Sequence, residues 1–212
     1  MLYPYESSSR DVKDLSGIWQ FKLDQHNEGL KEKWYEKPLV ETILMPVPAS
    51  YNDITQEATI RDHIGDVWYE TMTIIPTSWK DRRIVLRFGS VTHYGRVWVN
   101  GKQIMEHKGG YLPFEAEISQ YIVLGEETRI TVLVNNVLDW QTLPPGEIVY
   151  LADENKYPKP IKIQKYFHDF FNFAGIHRPV KLYTTPQSYI SDITTTTDIS
   201  GSTGIIKYEI EC

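Results

Sequence analysis

Apolar side chains recur at every second position along most of this chain, and that period decides what it can fold into. In "RRIVLRF" the residues Ile84, Leu86 and Phe88 share one face, and in "TRITVLVNN" so do Ile130, Val132 and Val134. Successive strand residues point to opposite sides of a sheet, so alternation marks half-buried strands, whereas a surface helix would repeat every ~3.6 residues. In "RVWVNGKQIME", Val97 and Val99 lie opposite Trp98, and Asn100-Gly101 tolerates positive φ at both central positions of a type I′ turn. Val97–Val99 is therefore expected to pair with Gln103–Met105. "DVWYETMTIIP" gives a strand ended by Pro76, "SGIWQFKLD" one that opens after Gly17, and "RPVKLYTTP" a last strand before the break at Thr184-Thr185-Pro186. One short helix is expected, around Leu30 to Glu36, with Pro38 closing it.

Many strands of modest length with almost no helical period predict an all-β fold, an antiparallel sandwich or jelly roll. The 212 residues suffice for one such sandwich and the start of a second domain. The main domain is expected over residues 1–185. Residues 186–212, "PQSYISDITTTTDISGSTGIIKYEIEC", hold two alternating segments around Ser200-Gly201-Ser202. A lone hairpin is marginal in water, so this stretch reads as the truncated start of a further β-domain. From Asp139 to Lys165 runs a connection with four prolines and no sustained period. Its length predicts a functional or disordered loop at the end of the sandwich where Asp169 sits.

Composition closes off several function classes. A formal net charge of -6 offers no basic field for a phosphate backbone, so nucleic acid is not an expected partner. The one cysteine, Cys212, permits neither an intrachain disulfide nor a Cys-based metal site, and no two histidines have the i, i+4 spacing of a helical metal site. Neither a metal nor any other cofactor is implied. "MLYPYESSSRDV" lacks a basic segment leading into an apolar one, and no run approaches the ~20 apolar residues of a membrane helix. The expected setting is cytoplasmic and reducing, without a membrane partner. Fourteen tyrosines and six tryptophans suit β-sheets first and sugar stacking second.

The stretches "GDVWYETMTIIP", "RIVLRFGSVTHYGRVWVNGKQIMEHKGGYLPFEAEIS", "NNVLDWQTLPPG" and "YFHDFFNFAGIHRPVKLYTTP" together resemble the amino-terminal region of glycoside hydrolase family 2. Within that family, "THYG", "GGYLPFEA" and "FHDFFNFAGIHR" are similar to the bacterial β-glucuronidase branch, rather than to β-galactosidase or β-mannosidase relatives. The resemblance implies a jelly-roll sugar-binding domain, then an immunoglobulin-like sandwich, then a TIM barrel, in a homo-oligomeric enzyme that cleaves β-glucuronides with retention. By that pattern the first domain is whole here, the second has barely begun and the third is absent. A free-standing carbohydrate-binding module and a scaffold domain are the competing readings.

A retaining glycosidase needs two carboxyl groups ~5–5.5 Å apart, and the resemblance implies that both are glutamates of the barrel. No catalytic residue is therefore expected in this chain. Glu115 and Glu117 lie on an alternating strand and Asp153-Glu154 on a loop, with no partner fixed by spacing. What the resemblance does assign is Asp169, on a loop that reaches the substrate pocket and accepts hydrogen bonds from glucuronate hydroxyls. Read from the residues alone, Asp169 is first a cap for a turn between Phe167 and Phe170, and the resemblance is what reverses that order. His168 is expected to adjust the charge of Asp169 or to face solvent, and Asn172 and Arg178 to hold the loop through backbone carbonyls. Phe170, Phe171 and Phe173 are expected to serve core and interdomain packing, and His93 and Tyr94 to be structural. Tyr150–Lys165 is longer than the glucuronidase pattern leads one to expect, which makes it a surface excursion or a determinant of aglycone preference.

Overall fold

Among the described residues the alternating segments form β1 (Val12–Asp14), β2 (Gly17–Leu23), β3 (Ile43–Val47), β4 (Asp66–Ile74), β5 (Arg83–Phe88), β6 (Tyr94–Val99) and β7 (Lys102–Lys108). They continue as β8 (Phe114–Glu117), β9 (Glu127–Asn135), β10 (Gly146–Leu151), β11 (Ile161–Tyr166), β12 (Val180–Thr185), β13 (Asp192–Ser200) and β14 (Thr203–Glu211). The structure, a computed structural model, describes residues 3–152 and 161–212. An antiparallel six-stranded sheet has the order β3-β2-β4-β9-β6-β7, and a four-stranded one the order β1-β12-β5-β8. Ile130, Val132 and Val134 of β9 meet Ile84, Leu86 and Phe88 of β5 in one buried cluster between the sheets. Each such side chain removed from water contributes about 1.5–3 kcal/mol, so the two sheets hold each other as an all-β sandwich.

The β6–β7 hairpin turns at Asn100 and Gly101 with φ of 49° and 79°, the positive pair that a type I′ turn requires. Val97 pairs with Met105 and Trp98 with Gln103, so Ile104 is the extra residue of a β-bulge. The alternation of this strand serves two layers. Val97 and Val99 enter the inter-sheet core, while Trp98 joins Trp68 and Leu133 in a second buried cluster on the outer face of the six-stranded sheet.

That outer cluster explains why Leu30–Glu36 is not the expected helix. Trp34 lies on Trp68 with ring centroids 5.8 Å apart, and Tyr35 stacks on Trp98 at 4.7 Å. The segment has to lie flat over the sheet to do this, and only Trp34–Glu36 closes a single 3-10 turn, entered through Lys33 at φ 55°. Buried Asp24 fixes its start by accepting from the backbone N–H groups of Glu28 and Gly29 and from Trp68 Nε1. Two one-turn helices that the periodicity does not announce, α1 (Tyr51–Ile54) and α2 (Ala58–Arg61), fill the crossover between β3 and β4.

The connection from Asp139 to Lys165 is not a long irregular loop. Its described parts contain β10 and β11, which pair antiparallel from Gly146↔Tyr166 to Leu151↔Ile161. Pro144 and Pro145 precede β10 and interrupt neither strand, and both strands are largely solvated, which weakens the apolar alternation that would mark them. Asp153, Glu154 and the centre of the Tyr150–Lys165 stretch lie outside the described residues. At the far end, among the described residues, β13 and β14 pair only with each other, as a two-stranded ribbon with Ile193, Ile199, Ile206 and Ile210 exposed. No helix among the described residues is long and apolar enough to cross a membrane.

Candidate functional site

Between β11 and β12 the chain crosses one end of the sandwich, and it does so in two parts with different physics. Residues 174–176 are buried and stitched to their neighbours. The Ala49 N–H donates to Ile176 O at 2.9 Å, the Tyr51 N–H to Ala174 O at 3.1 Å and the Thr92 N–H to Gly175 O at 3.0 Å. Ser50 adds its hydroxyl, which accepts from the Ala174 N–H at 2.9 Å. Gly175 has φ of 102°, and a Cβ there would sit 2.4 Å from Tyr69 Oη. The bare backbone is what lets this segment press into the core.

Residues 167–171 form the other part, an exposed arc. Asp169 lies at its middle, and among the described residues none donates a hydrogen bond to its carboxylate. His168 is exposed beside it and bonds to no described side chain. Phe170 and Phe171 are 41% and 46% exposed, so of the expected core and interdomain packing only the core role is excluded within this chain. They join a surface run of rings instead. Phe170 meets Tyr111 edge-on at 5.6 Å, Phe171 meets Phe173 at 4.9 Å, and Trp140, 75% exposed, leans on Phe167 at 4.9 Å.

Asn172 stands at the junction of the two parts. Its backbone oxygen accepts from Asn52 Nδ2 at 2.7 Å, and its side-chain Oδ1 lies 2.9 Å from Nε2 of buried His93. Asn172 thus has a bond at its backbone carbonyl and another at its side chain, the second one a pair that the sequence does not announce. Arg178 donates from Nη1 to the backbone oxygen of Tyr111 at 2.9 Å. Tyr94 donates to Glu106 Oε2 at 3.0 Å and accepts from Arg96.

Two histidines underlie the arc. Burial pushes the His93 imidazole below its usual range, partly offset by its bond to Asn172. His177 stacks on Phe173 at 5.5 Å, with its ring nitrogens 3.1 Å from Thr92 Oγ1 and Ser90 Oγ. Burial first, and the Arg178 charge second, lower its pKa to about 4. Beside His93 opens a cleft of about 450 Å³ between the end of the sheet and the 139–142 turn. Its polar lining is self-paired. Lys108 Nζ donates to Asp139 and Gln141, both at 3.0 Å, and Asp66 accepts from Asn135 Nδ2 at 2.6 Å.

Neither carboxylate of β8 is free. Glu115 accepts from Arg87 Nη1 at 2.7 Å and from Tyr183 Oη at 2.9 Å, and Glu117 accepts from Arg83 Nε at 3.2 Å. No group of three or more potential metal ligands occurs among the described residues.

Comparison with known proteins bears on this arrangement. The family model described as "Glycosyl hydrolases family 2, sugar binding domain" matches residues 12–186. A curated β-glucuronidase of Paenibacillus borealis is 58% identical over 212 residues, covering 100% of this chain and 35% of that protein. The β-glucuronidase of Homo sapiens is 49% identical, covering 99% and 34%. Among solved structures, an uncultured Clostridium sp. β-glucuronidase superposes with a TM-score of 0.87 at 50% identity, over 100% of this chain and 35% of that one. The Ruminococcus gnavus β-glucuronidase in complex with D-glucuronic acid gives 0.87 at 36% identity, over 99% and 36%. The chain thus spans about a third of the length of the relatives it matches.

Proposed function

This chain belongs to the sugar binding domain family of the family 2 glycosyl hydrolases, and from that membership we propose that it forms the amino-terminal third of a β-glucuronidase. In that enzyme it supplies a loop that contacts substrate, and the catalytic groups come from elsewhere. The observation that carries this reading is the state of Asp169. A turn cap would receive a nearby backbone N–H, and no described residue gives one. A carboxylate left free on an arc whose far end is stitched into the core is poised to accept from an incoming ligand.

The chemistry suits a sugar. A carboxylate can accept from two vicinal hydroxyls at once, and charge-assisted bonds are about twice as strong as neutral ones. Asp169 would not bind the glucuronate carboxylate, which it repels; that group needs cationic or amide partners beyond these residues. Retaining hydrolysis further requires a carboxyl pair ~5–5.5 Å apart, and the commitment of Glu115 and Glu117 to arginines supports placing that pair outside this chain. His168 completes the exposed arc, while Asn172 and Arg178 hold its downstream end.

The same reading extends to organisation. Residues 1–185 form the jelly-roll sugar-binding domain, and 186–212 open an immunoglobulin-like one, which accounts for a ribbon with unpartnered apolar side chains. A TIM barrel and further copies of the enzyme are its partners, in a reducing cytoplasm that a single cysteine suits.

Asp169→Asn in the full-length enzyme tests the site. It keeps the shape but removes the charge, and loss of a charged hydrogen-bond partner is worth ~1.5–3 kcal/mol. Catalytic efficiency should fall roughly tenfold to hundredfold while the melting temperature holds. Efficiency within a factor of about two, with stability down by about 1 kcal/mol, would instead identify a cap and refute the assignment.

A further inference from the structure

We infer that His93 is a positioning residue, which sets where Asp169 stands by clamping Asn172. This rests on the reading of Asp169 as a substrate contact. Because no described residue bonds the Asp169 carboxylate, its place depends on how the chain is held on either side. Upstream the nearest tie is the Phe167 N–H, which donates to Pro145 O at 3.1 Å. Downstream it is Asn172, three residues on, held at two points by two different segments. Asn52 Nδ2 grips its backbone oxygen at 2.7 Å, and His93 Nε2 grips its side chain at 2.9 Å.

Of the two grips, the one from His93 is the more rigidly founded. His93 is 2% exposed. Its backbone N–H donates to Asn135 O at 2.7 Å, and its carbonyl accepts from the Gly109 N–H at 3.2 Å. The residue is thereby pinned between the end of β9 and the end of β7. The other ring nitrogen, Nδ1, is buried without a partner among the described residues. It faces Gly110, where a Cβ would come within 2.8 Å of it. A proton on Nδ1 would be left unsatisfied, so the neutral tautomer with hydrogen on Nε2 is favoured, and that hydrogen is the one Asn172 Oδ1 accepts. A side chain that only filled the core would need neither the donor nor the choice of nitrogen.

A misplacement of about 1 Å at a reacting group can lower a rate by about a hundredfold, so a partial loosening should be visible in kinetics. In the full-length enzyme, His93→Phe keeps the ring and removes the donor, while His93→Gln restores an N–H near the position of Nε2. We expect His93→Phe to lower kcat/KM about tenfold and His93→Gln to recover most of it. In an Asp169→Asn background, His93→Phe should cause no further loss, since the contact it positions is already gone. Losses that multiply in the double mutant would overturn the inference, and so would a lower melting temperature with unchanged kcat/KM. If His93→Phe does not fold, Asn172→Ser is read in the same cycle, as its shorter side chain falls out of reach of Nε2. A single Asp169→Asn with normal kinetics overturns the reading of Asp169 itself, and the positioning role with it.

Discussion

Replacing Gly175 with alanine should cost more than any surface substitution in this chain, and the magnitude follows from two terms. At φ of 102° the backbone lies in the region that L side chains avoid, a penalty of about 1–2 kcal/mol. The added Cβ would also lie 2.4 Å from Tyr69 Oη and 3.1 Å from Tyr51 Cδ1, in a core that closes around both rings, and overpacking of this kind costs about 1–3 kcal/mol. The two together give about 3 kcal/mol, which for a domain of this size lowers Tm by about 6–12 °C. Gly17→Ala is the control. Its φ is 149° and nothing lies within 4 Å of a Cβ, so it keeps a backbone term and lacks the collision. Urea unfolding of the 212-residue chain at constant m measures both variants. If Gly175→Ala lost less than about 1 kcal/mol, or no more than Gly17→Ala, the close approach of the 174–176 segment to Tyr69 and Tyr51 would not be the anchor described above.

The 212-residue chain by itself should turn over no chromogenic glucuronide, because on the proposed reading the carboxyl pair of retaining hydrolysis lies outside it; turnover above a blank that survives Asp169→Ala would contradict this. Stability should also fall as pH drops from about 6.5 towards 4. In that window the unfolded chain takes up protons that folded His177, with its pKa lowered to about 4, and folded His93 do not. His177→Gln should flatten the melting-temperature profile over that window, whereas an unchanged slope would count against it.

What the sequence made legible depended on whether a signal was local. The β6–β7 hairpin was readable because Asn100-Gly101 and the alternation of Val97 and Val99 lie within a few residues of each other. The β10–β11 hairpin was not, since its strands are solvated and neither face needs a continuous apolar row. The helix expected at Leu30–Glu36 failed for the opposite reason. Its two aromatics, Trp34 and Tyr35, are neighbours in sequence, and what they answer to is Trp68 and Trp98 on the sheet beneath them. At the site, family resemblance singled out Asp169 as a substrate contact, whereas the residues alone favoured a turn cap. The bond between His93 and Asn172 joins residues 79 apart, and nothing in either one's neighbours betrays it. Thr92 and His93, just before β6, were the available hint, polar residues at a strand end that had to be satisfied by something.

The central claim is that the Asp169 carboxylate, which no described residue bonds, is completed by a sugar hydroxyl. It is met most directly by a crystal structure of the full-length enzyme with a glucuronate bound. The account predicts an Asp169 Oδ within ~2.5–3.0 Å of one ring hydroxyl oxygen or of two adjacent ones, with His93 Nε2 still bonded to Asn172 Oδ1. An Asp169 carboxylate that points into solvent more than ~4 Å from the sugar, or that accepts a backbone N–H of its own loop, would contradict it.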